Sequence, residues 1–271
     1  MVRERTYPLG LTLFLALILL SIWLLAATRS QAGGSYSDSG QNLGGDSSFD
    51  AGMADLDGDD DLDVFVANSL GNRIYLNNGS GFFSNSAQSL GTATSQGIAL
   101  GDVDGDDDID AFVANGAGDD NEVWLNNGSA QFSQLSQTMN QSADSTDVAL
   151  GDLDGDDDLD AFVTVRGAAN EVYLNNGSGV FSSTQAVGAS DPSLEVALAD
   201  VDGDDDLDAY VANGAAGAIA DSLWINNGSG VFTDSGQSLD NGWNEGAALG
   251  DLDGDGDLDL ILADWTASDA V

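Results

Sequence analysis

After residue 32 the chain repeats one arrangement of apolar and polar positions. Short runs of small apolar residues, IALGD (Ile98 to Asp102), VALGD (Val148 to Asp152), VALAD (Val196 to Asp200) and AALGD (Ala247 to Asp251), lead into an acidic nonapeptide. An unbroken apolar run follows: DVFVAN, DAFVAN, DAFVTV, DAYVAN or DLILAD. A run apolar at odd and even positions alike predicts a strand covered on both faces, and small side chains before the loop suit a strand crowded against an axis. A third segment appears in four copies, NRIYLNNGSG from Asn72, NEVWLNNGSA from Asn121, NEVYLNNGSG from Asn170 and DSLWINNGSG from Asp221. Its apolar positions alternate, and its Asn-Gly predicts a tight hairpin with φ > 0 at both central residues. A fourth strand is expected from Phe83, Phe132, Phe181 and Phe232.

The nonapeptides begin at Asp55, Asp102, Asp152, Asp200 and Asp251, spacings of 47, 50, 48 and 51 residues. Four antiparallel strands per unit of that length, repeated radially, predict an all-β fold, a β-propeller of about five four-stranded blades. A linear solenoid is the alternative. SYSDSGQNL (Ser35 to Leu43) matches VFTDSGQSL (Val231 to Leu239), so it is expected to supply the fourth strand of the last blade. That blade reaches Val271 where its third strand should form, so the direct count of five stands beside a propeller cut short from a larger ring.

Residues 1–32 follow another pattern. Arg3 and Arg5 precede an apolar run from Leu9 to Ala27, 19 residues long, and small residues follow at Ser30 and Ala32. This predicts a hydrophobic helix acting as a signal peptide or, at close to the roughly 20 residues that span a bilayer, as a membrane anchor. The propeller then occupies residues 33–271 and is secreted or extracellular, touching membrane only through that segment. Outside the cell small domains often rely on disulfides, and this chain has no Cys. Another cross-link is needed.

The nonapeptides hold 29 of the 47 acidic residues, so most of the net charge of -42 belongs to one motif. Neighbouring carboxylates about 4 Å apart repel by roughly 1 kcal/mol even in water. The spacing D-x-D-G-D-x-D-x-D turns that repulsion into affinity: side chains at positions 1, 3, 5 and 9 and the backbone carbonyl of 7 can wrap a hard cation. The candidate ligands are Asp55, Asp57, Asp59, Asp61 and Asp63; Asp102, Asp104, Asp106, Asp108 and Asp110; Asp152, Asp154, Asp156, Asp158 and Asp160; Asp200, Asp202, Asp204, Asp206 and Asp208; and Asp251, Asp253, Asp255, Asp257 and Asp259. Glycine at position 4 lets the backbone turn around the ion. The aliphatic residue at position 8 (Leu62, Ile109, Leu159, Leu207, Leu258) is expected to pin the loop to the core. Magnesium wants fewer protein oxygens and transition metals want nitrogen or sulfur, absent from a chain without His or Cys, so Ca2+, up to five ions, fits best. The loop is not an EF-hand, lacking its Glu at 12 and flanking helices. The alternatives are a solvated acidic turn or adaptation to salt.

DLDGDDDLDVFVAN followed by NRIYLNNGSG resembles the FG-GAP/VCBS repeat, the calcium-binding blade of integrin α-subunit propellers and of many secreted bacterial proteins. The resemblance covers Ser35 to Val271 and implies calcium in the loop joining the first two strands of each blade, with partners bound on the other face. The chain departs from the family in lacking a Gly-Ala-Pro element and in carrying Asp at position 6 of four copies, where Gly256 stands in the last. Integrin-like propellers have seven blades.

A chain this acidic and without Lys has no footprint for nucleic acid. The expected function is an extracellular adhesion or ligand-recognition module for a protein or glycan, with calcium in a structural role. A lectin-like protein, a carboxylate-based glycan-active enzyme and a purely structural surface protein are the alternatives. An enzyme is not favoured: Ser-His, Cys-His and Lys mechanisms are excluded, and the aspartates are accounted for as ligands. Trp243 and Trp265 lie outside the strand position held by Tyr75, Trp124, Tyr173 and Trp224, making them candidates for sugar stacking or for capping the core. The N-G-S sequons at Asn78, Asn127, Asn176 and Asn227 are explained by the hairpin turn, and Arg73 and Arg166 are too few for a basic patch.

Overall fold

The computed structural model describes residues 38–264 except 117, 140–142, 215–218, 238 and 240–242; the expected leader helix and Trp265 lie outside them. Contacts divide the chain after Gln41. Of the first unit Asp38–Gln41 is described, an irregular turn in which Gly40 N–H donates to Asp38 Oδ1 at 2.8 Å. Residues 38–43, from the segment expected to close the last blade, are not in a strand, and 35–37 fall outside the described residues.

From Asn42 onward the described elements are all strands. The first blade is β1 (Ser48–Ala54), β2 (Asp63–Asn68), β3 (Arg73–Asn77) and β4 (Phe83–Asn85). The second is β5 (Ser95–Gly101), β6 (Asp110–Asn115), β7 (Glu122–Leu125) and β8 (Ser133–Leu135). Each is an antiparallel sheet in chain order. The third and fourth run together. β9 (Ser145–Gly151) pairs with the first half of β10 (Asp160–Leu174), and the second half of β10 pairs with the start of β11 (Ser182–Ala199). The end of β11 opens the fourth blade with β12 (Asp208–Asn213), β13 (Ser222–Ile225) and β14 (Thr233–Asp234). β15 (Asn244–Gly250) and β16 (Asp259–Asp264) make the described part of the fifth.

The unbroken apolar runs sit where expected: β6 and β12 are buried at every position. Their partners belong to two blades. Leu56, Phe65 and Ile74 of the first blade form one cluster with Ile98, Val113, Trp124 and Phe132 of the second, and the next two clusters repeat the arrangement. Phe132, Phe181 and Phe232 each meet the second-strand Phe of the preceding blade edge to face: Phe65–Phe132 at 5.7 Å, Phe112–Phe181 at 5.1 Å and Phe162–Phe232 at 5.2 Å. Such pairs contribute about 0.5–1.5 kcal/mol beyond area burial.

Two sequence expectations need correction. Position 8 does not pin its loop in every blade. Leu159 and Leu207 pack onto Gly101 and Gly151 of the previous first strand, where a Cβ would come within 2.6 Å of each leucine. Leu62 in the first blade is 57% exposed and Leu258 in the fifth 42%. The Asn-Gly hairpin is not a two-residue type I′ turn either: Asn77 pairs with Phe83, and the positive φ values fall on Gly79 and Gly81, not on Asn78.

First strands of successive blades lie side by side, β1 to β5 to β9 to the end of β11 to β15, and curl around a cavity of about 270 Å3. Three carboxylates face it, and each latches one blade to another. Asp50 accepts Ile98 N–H at 2.9 Å, Asp147 accepts Val196 N–H at 3.0 Å and Glu195 accepts Ala247 N–H at 3.3 Å. Burial lifts Asp147 to about 7, with the charges of Glu195 and Asp50 adding to the rise against N–H bonds from Val196 and Val148. Glu195 is raised by burial and by Asp50.

A carboxyl with a raised folded-state pKa holds its proton more tightly folded than unfolded. Its destabilising effect is therefore complete above that pKa and vanishes below the unfolded carboxylate value near 4. Asp147→Asn, which keeps an acceptor for Val196, is expected to raise the melting temperature by several degrees at about pH 8, with the difference from wild type closing towards about pH 4. Paired melts across that window check this; a difference that does not change with pH assigns the effect to packing.

Candidate metal centres

The acidic loop joins the first and second strands of each blade, and its aspartates divide the work. Position 1 organises the turn: Asp55 Oδ1 accepts the N–H groups of Gly58 (2.8 Å) and Asp59 (3.2 Å), and Oδ2 that of Asp60 (2.9 Å). Asp102 and Asp152 repeat all three bonds. Burial raises the Asp55 carboxyl, but backbone N–H groups led by Asp60 and Gly58 outweigh it and hold the group below its usual range.

Position 9 is buried in the first four loops and ties each to the third strand. Asp110 accepts Val103 N–H on Oδ2 (3.1 Å) and Asn126 N–H on Oδ1 (2.7 Å); Asp63, Asp160 and Asp208 do the same in their blades. Burial pushes Asp110 and Asp160 up to about 6, against those two N–H groups and aided by the neighbouring loop carboxylates.

Position 3 differs. Asp57, Asp104 and Asp154 each bury an Oδ1 that has no hydrogen-bond partner. Burial raises all three, and carboxylates of the same loop add to it, Asp63 for Asp57, Asp106 for Asp104 and Asp156 for Asp154. A buried, unpaired carboxylate oxygen aimed among like charges is costly unless a cation stands against it. Oxygens of positions 1, 3 and 9 lie within 4.8 Å of one another in the first four loops, and those of Asp251, Asp253 and Asp255 in the fifth. The donor set is all oxygen, and it fits a hard cation. Position 5 turns one oxygen to the loop itself, as Asp59 Oδ1 accepts Asp61 N–H at 3.0 Å.

The backbone at position 6 accounts for Asp in four copies and Gly256 in the last. The backbone is left-handed there, φ 68 to 71° at Asp60, Asp107, Asp157 and Asp205 and 98° at Gly256. Asp tolerates that region better than most residues. The position-7 side chain lies over the hairpin glycine of its own blade, so that a Cβ on Gly177 would be 2.5 Å from Asp158 Oδ2.

Sequence reasoning missed what each loop does for its neighbour. The backbone carbonyl at position 2 faces the next blade, where the first Asn of NNGS reaches it: Asn126 Nδ2 donates to Leu56 O (2.9 Å), Asn175 to Val103 O (2.7 Å) and Asn226 to Leu153 O (2.9 Å). The same carbonyls accept the N–H of Ala130, Gly179 and Gly230. Gln88, Gln137 and Gln185 each accept an N–H from the next blade's Phe and donate to a carbonyl beside it. The only available signal was recurrence of Asn and Gln at fixed places. Of the two candidate tryptophans, Trp243 is 38% exposed beside Gly214 and Trp265 lies outside the described residues; Arg73 and Arg166 pair with Asp46 (3.4 Å) and Asp144 (3.2 Å).

The FG-GAP-like repeat profile matches residues 55–113, 102–163, 158–211 and 212–262. No curated protein matches the chain. Among solved structures it is similar to an Agrocybe aegerita lectin described as recognising non-reducing terminal N-acetylglucosamine (23% identity over 67% of this chain, TM-score 0.48). It is also similar to the V. cholerae biofilm matrix protein Bap1 (21% over 66%, 0.41) and to BBS1N in complex with ARL6DN (11% over 84%, 0.53). The chain spans 49%, 27% and 65% of the lengths of these three chains.

Gly177→Ala combines a left-handed φ of 71° with the approach to Asp158 and is expected to destabilise the fold by about 1–2 kcal/mol, lowering the melting temperature by several degrees. Adding Asp158→Ala should recover the steric share and leave the backbone share. A double variant no more stable than Gly177→Ala would show that the carboxylate does not lie over the turn.

Proposed function

Since the chain belongs to the FG-GAP-like repeat family, we propose that it is an extracellular, calcium-bound propeller that recognises a protein or glycan ligand in adhesion or matrix assembly, and that it is not an enzyme. The observation that carries the metal reading is the unpaired, buried oxygen at Asp57, Asp104 and Asp154 inside clusters of carboxylates. Side chains at positions 1, 3, 5 and 9 and the carbonyl of position 7 would hold the ion. Bound calcium supplies the positive charge that the clustered carboxylates lack.

The chain's own residues carry that effect outward. Because the position-2 carbonyl of the first three loops accepts bonds from the following blade, an ordered loop there fixes the blade interface as well as its own turn. Extracellular placement is supported by the Arg-flanked apolar leader and by a repeated ion site standing where Cys is absent. Recognition, not catalysis, is supported because the acids already have structural and ion-holding work.

Calorimetric titration of the full chain with calcium, with melts at both end points, tests this. Each site filled at a hundredfold excess over its Kd adds about 2.7 kcal/mol, roughly 5 to 10 °C for a domain of this size. Magnesium at equal concentration should stabilise less. A melting transition that does not move on addition of EGTA would refute the reading.

A further inference from the structure

At the end of the strands away from the acidic loops, the second blade carries a cavity of about 440 Å3 whose walls include Thr92, Gly118, Asp119, Asp120, Asn121 and Glu122. The described residues that line it are held by hydrogen bonds. Asn115 N–H donates to Asn121 Oδ1 (2.9 Å) and Asn115 Nδ2 to Asp120 O (2.7 Å). Gly118 N–H and Asn121 N–H reach Ala143 O (3.0 Å) and Met139 O (3.2 Å).

Asn121 is 1% exposed, and its Nδ2 has no partner. The fourth blade solves the same position without an orphan: Asp221 accepts Asn213 N–H (2.7 Å) on one oxygen and Tyr210 O–H (2.5 Å) on the other. In the first blade Asn72 has the same unpartnered nitrogen, but the loop before it, Ser69–Gly71, carries no acid. Only the second blade, among these three, sets a buried donor beside three carboxyl groups.

What could satisfy both? A cation offers nothing to an N–H donor, and the oxygens of Asp119, Asp120 and Glu122 are not among the groups that converge within 4.8 Å. An anion would meet three carboxylates on a chain of net charge -42. A neutral ring of hydroxyls can accept from Asn121 and donate to the separated carboxylates, because each hydroxyl does both. We propose that this cavity is a subsite for a neutral sugar residue. The proposal rests on the recognition reading above and gives it a ligand class.

The test is titration of the 15N-labelled full chain, in millimolar calcium, with neutral methyl glycosides covering hexoses, 6-deoxyhexoses and N-acetylhexosamines. At least one is expected to shift the Asn121 side-chain amide and the Gly118 and Asn121 backbone amides saturably. Asn121→Asp, which keeps the acceptor for Asn115, and Asp119→Asn at the exposed rim should each weaken that binding by about tenfold or more with the melting temperature nearly unchanged. Equal affinity in both variants overturns the site. So does glycoside binding that maps elsewhere on the chain, which leaves the recognition reading standing. No binding by any glycoside, with the calcium-dependent melt intact, overturns the sugar subsite and assigns recognition to a protein partner.

Discussion

Close-packed carboxylates are the constraint on which the rest of this structure depends. Each acidic loop places five or six of them in nine residues, and the fold tolerates this by giving different aspartates different partners. Position 1 is neutralised in part by backbone N–H groups, position 9 by two N–H donors, one within the loop and one at or just past the end of the third strand, and position 3 in the first three loops is left with a buried oxygen that has no partner. Backbone dipoles alone stabilise the loop's shape; they do not remove its charge. The directions of the pKa shifts follow that division: Asp55 is raised by burial but lowered overall by its N–H groups, while Asp57, Asp104 and Asp154 are raised by burial and by the other carboxylates of their own loops.

The consequence reaches the blade interface because the loop is shared property. A carbonyl two atoms of backbone from the position-1 aspartate is the acceptor for Asn126, Asn175 or Asn226 of the next blade, and the next blade's Phe packs edge to face nearby. Perturbing one loop therefore loosens two blades. Elsewhere on the same first strands, the latches of Asp50, Asp147 and Glu195 use carboxylates again, but singly and facing a cavity, and at Asp147 and Glu195 burial leads the rise in pKa with neighbouring charge adding to it.

What could be read from the sequence was whatever lay close together in it. The acidic nonapeptide, its period and the buried second strands were legible because each is a contiguous run whose meaning does not depend on distant partners. Asn126 was not: its amide reaches a carbonyl 70 residues earlier, and in the string NNGS it reads as turn chemistry alone. Leu62 and Leu159 occupy the same motif position and differ in burial because Leu159 packs on Gly101 of the preceding blade and, among the described residues, no blade precedes Leu62. The Asn-Gly turn misled for a related reason. Its hairpin carries a residue with φ > 0 at Gly81, Ala130, Gly179 and Gly230, and in the later three blades that residue's N–H serves the neighbouring loop.

The two ends of each blade are constrained differently, and this bears on where recognition can evolve. In the acidic loop nearly every N–H has an assigned carboxylate, so an inserted residue would break several bonds at once. At the far end one side chain closes the connection between second and third strands by accepting a backbone N–H: Asn72 from Asn68, Asn121 from Asn115, Asn170 from Val165 and Asp221 from Asn213, separations of 4, 6, 5 and 8 residues. A single clamp that works across those spans leaves the residues between its ends free in number and kind. The acidic loops are near-identical and the far loops are not, which is the arrangement expected if one end holds the blades together and the other meets the ligand.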